Sequence, residues 1–124
     1  MSDSRKFDLE DRLVRFSVMI IHLAELLDSS VAGKYIAGQI IRSGISPALN
    51  YGEAKSAESP NDFIHKLKIA LKELRETYIS LRIISEKPLV VDKYRVDPCL
   101  TECNELISIF VKSIQTAEKN HAKH

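Results

Sequence analysis

Apolar residues recur at steps of three and four through four separate stretches of the chain, and each stretch carries start or stop signals at its ends. In the first, Leu9, Leu13, Phe16, Ile20, Leu23 and Leu27 make one stripe. Asp8 stands before it as a cap, and Glu10 and Asp11 fall in the first turn, where the positive helix end favours acids. This predicts a helix over about residues 8–28. Asp28-Ser29-Ser30 closes it and supplies the cap of a second helix, about residues 31–55. Ser59-Pro60 is a cap followed by proline at the first helical position, and opens a third helix over about 60–85. Its predicted core stripe is Phe63, Leu67, Ala70, Leu71, Leu74, Tyr78 and Leu81. Lys87-Pro88 stops that helix, and Asp97-Pro98 repeats the start signal for a fourth, about 98–117, with Leu100, Cys103, Leu106, Ile107, Phe110 and Ile114 inward. Between them Leu89-Val90-Val91 and Tyr94 predict a packed connection. Periodicity ends after Ala117, so residues 118–124 are expected to fray. The pattern as a whole predicts an all-α protein, an antiparallel up-down four-helix bundle forming one domain over residues 1–124.

The first two helices are apolar over more of their circumference than one packing face needs. Val14, Val18, Met19 and Ile21 widen the first. In the second, Ile36, Ile40, Ile41, Gly44, Ile45, Ala48 and Leu49 span about twice the ordinary apolar stripe of roughly 100°. Such width calls for neighbours on two sides, which points to a homo-oligomer. Gly38, Gly44 and Ala48 read as places where another helix approaches closely. Opposite them lies a narrow polar stripe: Gln39, Arg42, Ser43, Ser46, Asn50 and Glu53. Three readings fit it, namely a solvated face, a polar network fixing an interface register, or a ligand groove. Pro47 removes a backbone donor in the middle of this helix and predicts a kink near that point.

The stretch Gln39-Ile40-Ile41-Arg42-Ser43-Gly44-Ile45-Ser46-Pro47-Ala48-Leu49-Asn50-Tyr51-Gly52-Glu53-Ala54 resembles the signature of the four helix bundle protein family. That group includes the proteins encoded by intervening sequences in bacterial large-subunit ribosomal RNA genes. The shared features are the glutamine, a basic residue, small residues, Ser-x-Pro and Asn-x-x-Glu. The block from Phe63 to Thr77 resembles the family's third helix, while helices one and four are similar in pattern alone. Lys72 stands where the family often has a small residue, and Tyr78 where it often has a carboxylate. The resemblance implies a bundle assembled as a ring-like homo-oligomer, the pentamer being the family's assembly. It also makes RNA the first partner to consider.

Composition narrows the chemistry. A net charge of +1 gives no global pull toward nucleic acid or membrane, so any such contact must be local. One cluster qualifies: His65, Lys68, Lys72, Arg75 and Arg82 gather on one flank of the third helix. It reads either as a solvated flank with Lys72 paired to Glu76 or as a phosphate-contacting surface. No apolar run approaches the ~20 residues of a membrane span. The polar, acid-containing N-terminus is unlike a secretory signal, and two cysteines make no disulfide framework, so the expected location is cytoplasmic. Cys99 and Cys103 lack Cys-x-x-Cys spacing and read as reduced core thiols, Cys103 the more buried. His22 reads as a partly buried histidine with its ring satisfied.

A di-metal bundle site would need two Glu-x-x-His motifs at mid-bundle. Asp62-x-x-His65 and Glu118-x-x-His121 only approximate that spacing, one in a first turn and one in the tail. There is no Gly-rich phosphate loop and no nucleophile motif. The expectation is therefore a non-enzymatic oligomeric binding or scaffold protein, with no metal, cofactor or small-molecule substrate, possessing a basic third-helix flank suited to RNA. A protein-interaction or structural module without nucleic-acid binding is the competing reading.

Overall fold

The computed structural model describes residues 8–87, 89 and 95–122. Four helices follow in order: α1 Leu9–Leu26, α2 Val31–Ala54, α3 Pro60–Glu86 and α4 Asp97–Ala122. Three of the four start signals act as their chemistry predicts, while Asp97, expected as a cap, falls within the first turn of α4. The Asp8 carboxylate accepts from the Asp11 amide at 2.9 Å, Ser30 Oγ from Gly33 at 3.0 Å and Ser59 Oγ from Asp62 at 3.1 Å. Each satisfies one of the amides a helix start leaves without an internal partner.

Helices adjacent in sequence pack together, and α4 also meets α1, which closes the set around one core. Fully buried Leu13, Phe16 and Ile20 from α1, Ile40 from α2, Leu74 and Leu81 from α3, and Leu106 and Phe110 from α4 fill it. Between α2 and α3, Arg42 meets Glu76, Ser43 meets Thr77 and Glu53 meets Lys66, so numbers rise along one helix as they fall along the other. The α1–α2 contacts behave likewise, from Glu10 with Lys55 to Ser17 with Gly44. Pro47 is buried inside α2, which remains helical on both sides of it.

Several side chains stand elsewhere than the pattern predicts. On α3, Phe63, Leu71 and Tyr78 are only partly buried, whereas Ile64, Thr77, Ser80 and Ile84 are buried. The core-facing arc of α3 is broader on its α2 side than the hydrophobic stripe implies, because hydroxyls there find partners. His22 is exposed, its ring 3.9 Å from Glu25, since it lies on the outward arc of α1 with Val18. Helix α4 does not fray at Glu118 but continues to Ala122. Lys68 of α3 holds Glu118 at 2.9 Å, and Lys119 and His121 occupy a last turn whose carbonyls favour cations. In the connection after α3, Leu89 is buried and its carbonyl accepts from the Asp28 amide at 2.9 Å; Val90, Val91 and Tyr94 lie outside the described residues.

Candidate nucleic-acid interface

The third helix carries Lys72-Glu73-Leu74-Arg75-Glu76, which is charge-balanced when written out but not when folded. Both acids turn toward α2. The Arg42 guanidinium donates to Glu73 Oε1 at 2.9 Å and to Glu76 Oε1 at 2.7 Å. Those bonds, Glu76 first, raise the Arg42 pKa further above its ordinary value. The expected Lys72–Glu76 pair is therefore corrected: Glu76 answers Arg42, whose fork spans both carboxylates one helical turn apart. Lys72 and Arg75 are left exposed, with no ion pair among the described residues.

His65, Lys68, Lys72, Arg75 and Arg82 are all exposed and share one face of α3. They are not equivalent. Lys68 is paired with Glu118 at 2.9 Å, and Arg82 stands 3.8 Å from Glu86. Two hydrophobic residues that the pattern left unassigned, Ile79 and Ile83, lie exposed on the same face. Their signal was available: both fall at helical steps from Lys72 and Arg75.

The polar stripe of α2 runs along the seam with α3, buried at Ser43 and still exposed at Arg42 and Glu53. Ser43 is fully buried, its hydroxyl bonded to that of Thr77 at 2.8 Å; Thr77 Oγ1 is also 2.8 Å from the Glu73 carbonyl. Glu53 accepts from Lys66 at 2.6 Å, a bond that raises the lysine's pKa. Asn50 Nδ2 turns back on its own helix, donating to Ser46 Oγ at 2.9 Å and to the Ser46 carbonyl at 3.1 Å. Gln39 is half-buried, makes no hydrogen bond among the described residues, and lines an open trough of 610 Å³ with Leu71, Lys72, Arg75 and Ile79. Arg42, Ser43 and Glu53 thus reach α3, while Gln39 faces the trough beside it. Of the partners that make this seam, the sequence pattern did not single out Thr77, Glu73 or Lys66, and it read Glu76 with Lys72.

Other candidate groups are built differently. Burial pushes the Cys99 thiol up to about 11 and the Cys103 thiol up to about 12, so both stay protonated and poorly nucleophilic near neutrality. His65, Glu118 and His121 line one shallow hollow, yet among the described residues no three His, Cys, Asp or Glu side chains are placed to hold a metal ion. No described helix is long and apolar enough to cross a membrane.

A solved structure supports the fold assignment. A crystal structure of a protein with unknown function from the S23 ribosomal protein family of Bacteroides thetaiotaomicron superposes with a TM-score of 0.78 at 30% identity. The match covers 85% of this chain and 96% of that one. No curated protein matches the chain. The model of the 23S rRNA-intervening sequence protein family matches residues 5–112, and the chain belongs to this family.

Proposed function

We propose that this protein is a non-enzymatic, homo-oligomeric scaffold that contacts RNA through the outer face of α3. The observation that carries the reading is the sorting of charge along that helix. Arg42 draws Glu73 and Glu76 into the α2 seam and leaves Lys72 and Arg75 exposed beside Lys68 and Arg82. Phosphate contacts position a polyanion without reading its sequence, which suits a face rich in cations and poor in aromatic rings. Family membership adds to this reading, because the family takes its name from segments of ribosomal RNA genes.

Self-association rests on a different surface. Val14 and Val18 of α1 and Ile41 and Leu49 of α2 remain exposed although each is apolar. A second copy covering them would also multiply the α3 face, and several weak contacts on one RNA bind far more tightly than one. Light scattering at micromolar protein concentration should return a multiple of the 14.0 kDa chain; a pentamer is the size the family resemblance implies. A monomer would remove this part of the proposal.

For the RNA contact, binding should weaken steeply with salt as condensed counterions are released. The pair Lys72→Glu, Arg75→Glu should abolish it while leaving helicity and assembly size unchanged, since both side chains are exposed and have no ion pair among the described residues. Binding that survives this charge reversal would reject the face. If the unaltered protein binds no RNA even at low salt, the protein-interaction reading takes its place.

A further inference from the structure

We infer that the α3 face takes unpaired nucleotides and not duplex, with base faces resting on the apolar side chains of the trough beside Gln39. This rests on the RNA-contact reading above and specifies its ligand. A surface that only had to attract phosphates would need cations alone. Here Ile79 is 51% exposed between Arg75 and Arg82, and with Leu71 it lines the same trough as Lys72 and Arg75. Duplex RNA turns phosphates and riboses outward and stacks its bases inside, so it would leave these apolar groups facing charge or water. An unpaired strand offers negative charge and flat apolar surface together.

The dimensions agree. Along the α3 axis the rise of about 1.5 Å per residue sets Lys72 roughly 6 Å from Lys68 and roughly 4.5 Å from Arg75, close enough for these cations to meet neighbouring phosphates of one strand. A trough of 610 Å³ has room for more than one base, and Arg75 can present its guanidinium plane to a base as well as its charge to a phosphate. Gln39 adds the polar element. Its carboxamide, half-buried at the α2 side of the trough, carries both donors and an acceptor and has no partner among the described residues. A base edge would supply one.

Fluorescence anisotropy of the full chain separates the possibilities, using a labelled single-stranded RNA, the same strand annealed to its complement, and the same strand with abasic positions. The single strand should bind at least tenfold more tightly than either of the others. Ile79→Ser and Gln39→Ala should each weaken the single strand several-fold and leave the duplex unchanged; neither side chain makes a hydrogen bond among the described residues, and circular dichroism checks that the helices persist. Equal affinity for strand and duplex, with both lost in Lys72→Glu, Arg75→Glu, would overturn the inference while sparing the RNA face. Absence of binding to any of the three would remove both. Competition by poly-glutamate as effective as by the unlabelled strand would also overturn it, since the trough would then be reading an acidic chain.

Discussion

Helix α2 makes two seams, and they are held by opposite means. Against α1 the seam is steric. A Cβ added to Gly44 would stand 2.8 Å from Ile20 Cγ2 and 3.0 Å from Ile20 Cγ1. The buried Ser17 hydroxyl donates back to the Leu13 carbonyl at 2.9 Å and reaches the Gly44 carbonyl across the seam at 3.3 Å. Against α3 the seam is polar, with the Ser43–Thr77 hydroxyls buried at its middle and the Arg42 and Glu53 ion pairs along its edge. The difference reaches the surface. The close-packed seam carries a single ion pair at its end among the described residues, Lys55 with Glu10 at 2.8 Å, and leaves an apolar shoulder of Val14, Val18 and Ile41 outside it. The polar seam takes up Glu73 and Glu76 of α3 and leaves Lys72 and Arg75 exposed on the outer face. One helix thereby borders an exposed apolar shoulder on one side and an exposed basic face on the other.

If shape alone holds the α1 seam, adding volume should break it. Gly44→Val should cost about 2–3 kcal/mol in denaturant unfolding, because the neighbouring atoms belong to the stiff, buried branch of Ile20 and cannot swing aside. Gly38→Ala is the control within the same helix. The sequence pattern places Gly38 beside a neighbour, but nothing lies within 4 Å of its added Cβ and the residue is exposed. Relieved of glycine's entropic cost, that variant should gain about 0.5–1 kcal/mol. Equal losses at the two glycines would mean that helix propensity, and not the approach of α1, governs both.

The polar seam should instead respond to the removal of a partner. Thr77→Val keeps the shape and strands the buried Ser43 hydroxyl, at a cost of about 1–3 kcal/mol. Adding Ser43→Ala should recover most of the loss, since removing both partners leaves no orphaned donor. A double variant as unstable as the sum of the single ones would show that the hydroxyls act independently.

These two seams were unequally legible in the chain. Helix number, order and start sites could be read directly, because Asp8, Ser30 and Ser59 cap by local chemistry that needs no knowledge of the fold. Gly44 could be read as a close approach because a glycine inside a strongly patterned helix has few other uses. Gly38 looked the same in sequence and was not, since only the phase of α1 against α2 distinguishes them. The polar stripe was visible as a stripe, but its meaning depended on Glu73, Glu76 and Thr77, some thirty residues away. Those residues look ordinary on α3: the acids sit at helical spacing from lysine and arginine, and the threonine interrupts a hydrophobic stripe. The basic flank was named correctly as a set of exposed side chains. Which members were already paired, Lys68 to Glu118 and Arg82 near Glu86, required the packing of α4 and the end of α3. Exposed Ile79 and half-buried Gln39 acquired a shared trough only when α2 and α3 were brought together.

The smallest expected effect on stability is also the one that links the two halves of the comparison. Arg42 is half exposed, so Arg42→Ala should lower stability only slightly, and high salt should erase the difference by screening the pairs. Its effect on RNA should be larger than its effect on folding, although Arg42 is not on the α3 flank. Without the guanidinium, Glu76 is free to pair with Lys72 across one helical turn, and Glu73 no longer has its charge offset beside the outer face. The local potential that RNA meets becomes less positive, and fewer phosphates are neutralised on binding. In a plot of log affinity against log salt, the slope should become shallower by about one phosphate contact per chain. The triple variant Arg42→Ala, Glu73→Gln, Glu76→Gln should restore the slope, because it removes the acids that the arginine had been holding. Should Arg42→Ala bind RNA with unchanged affinity and salt slope, the sorting of charge by the α2 seam has no part in how the α3 face works.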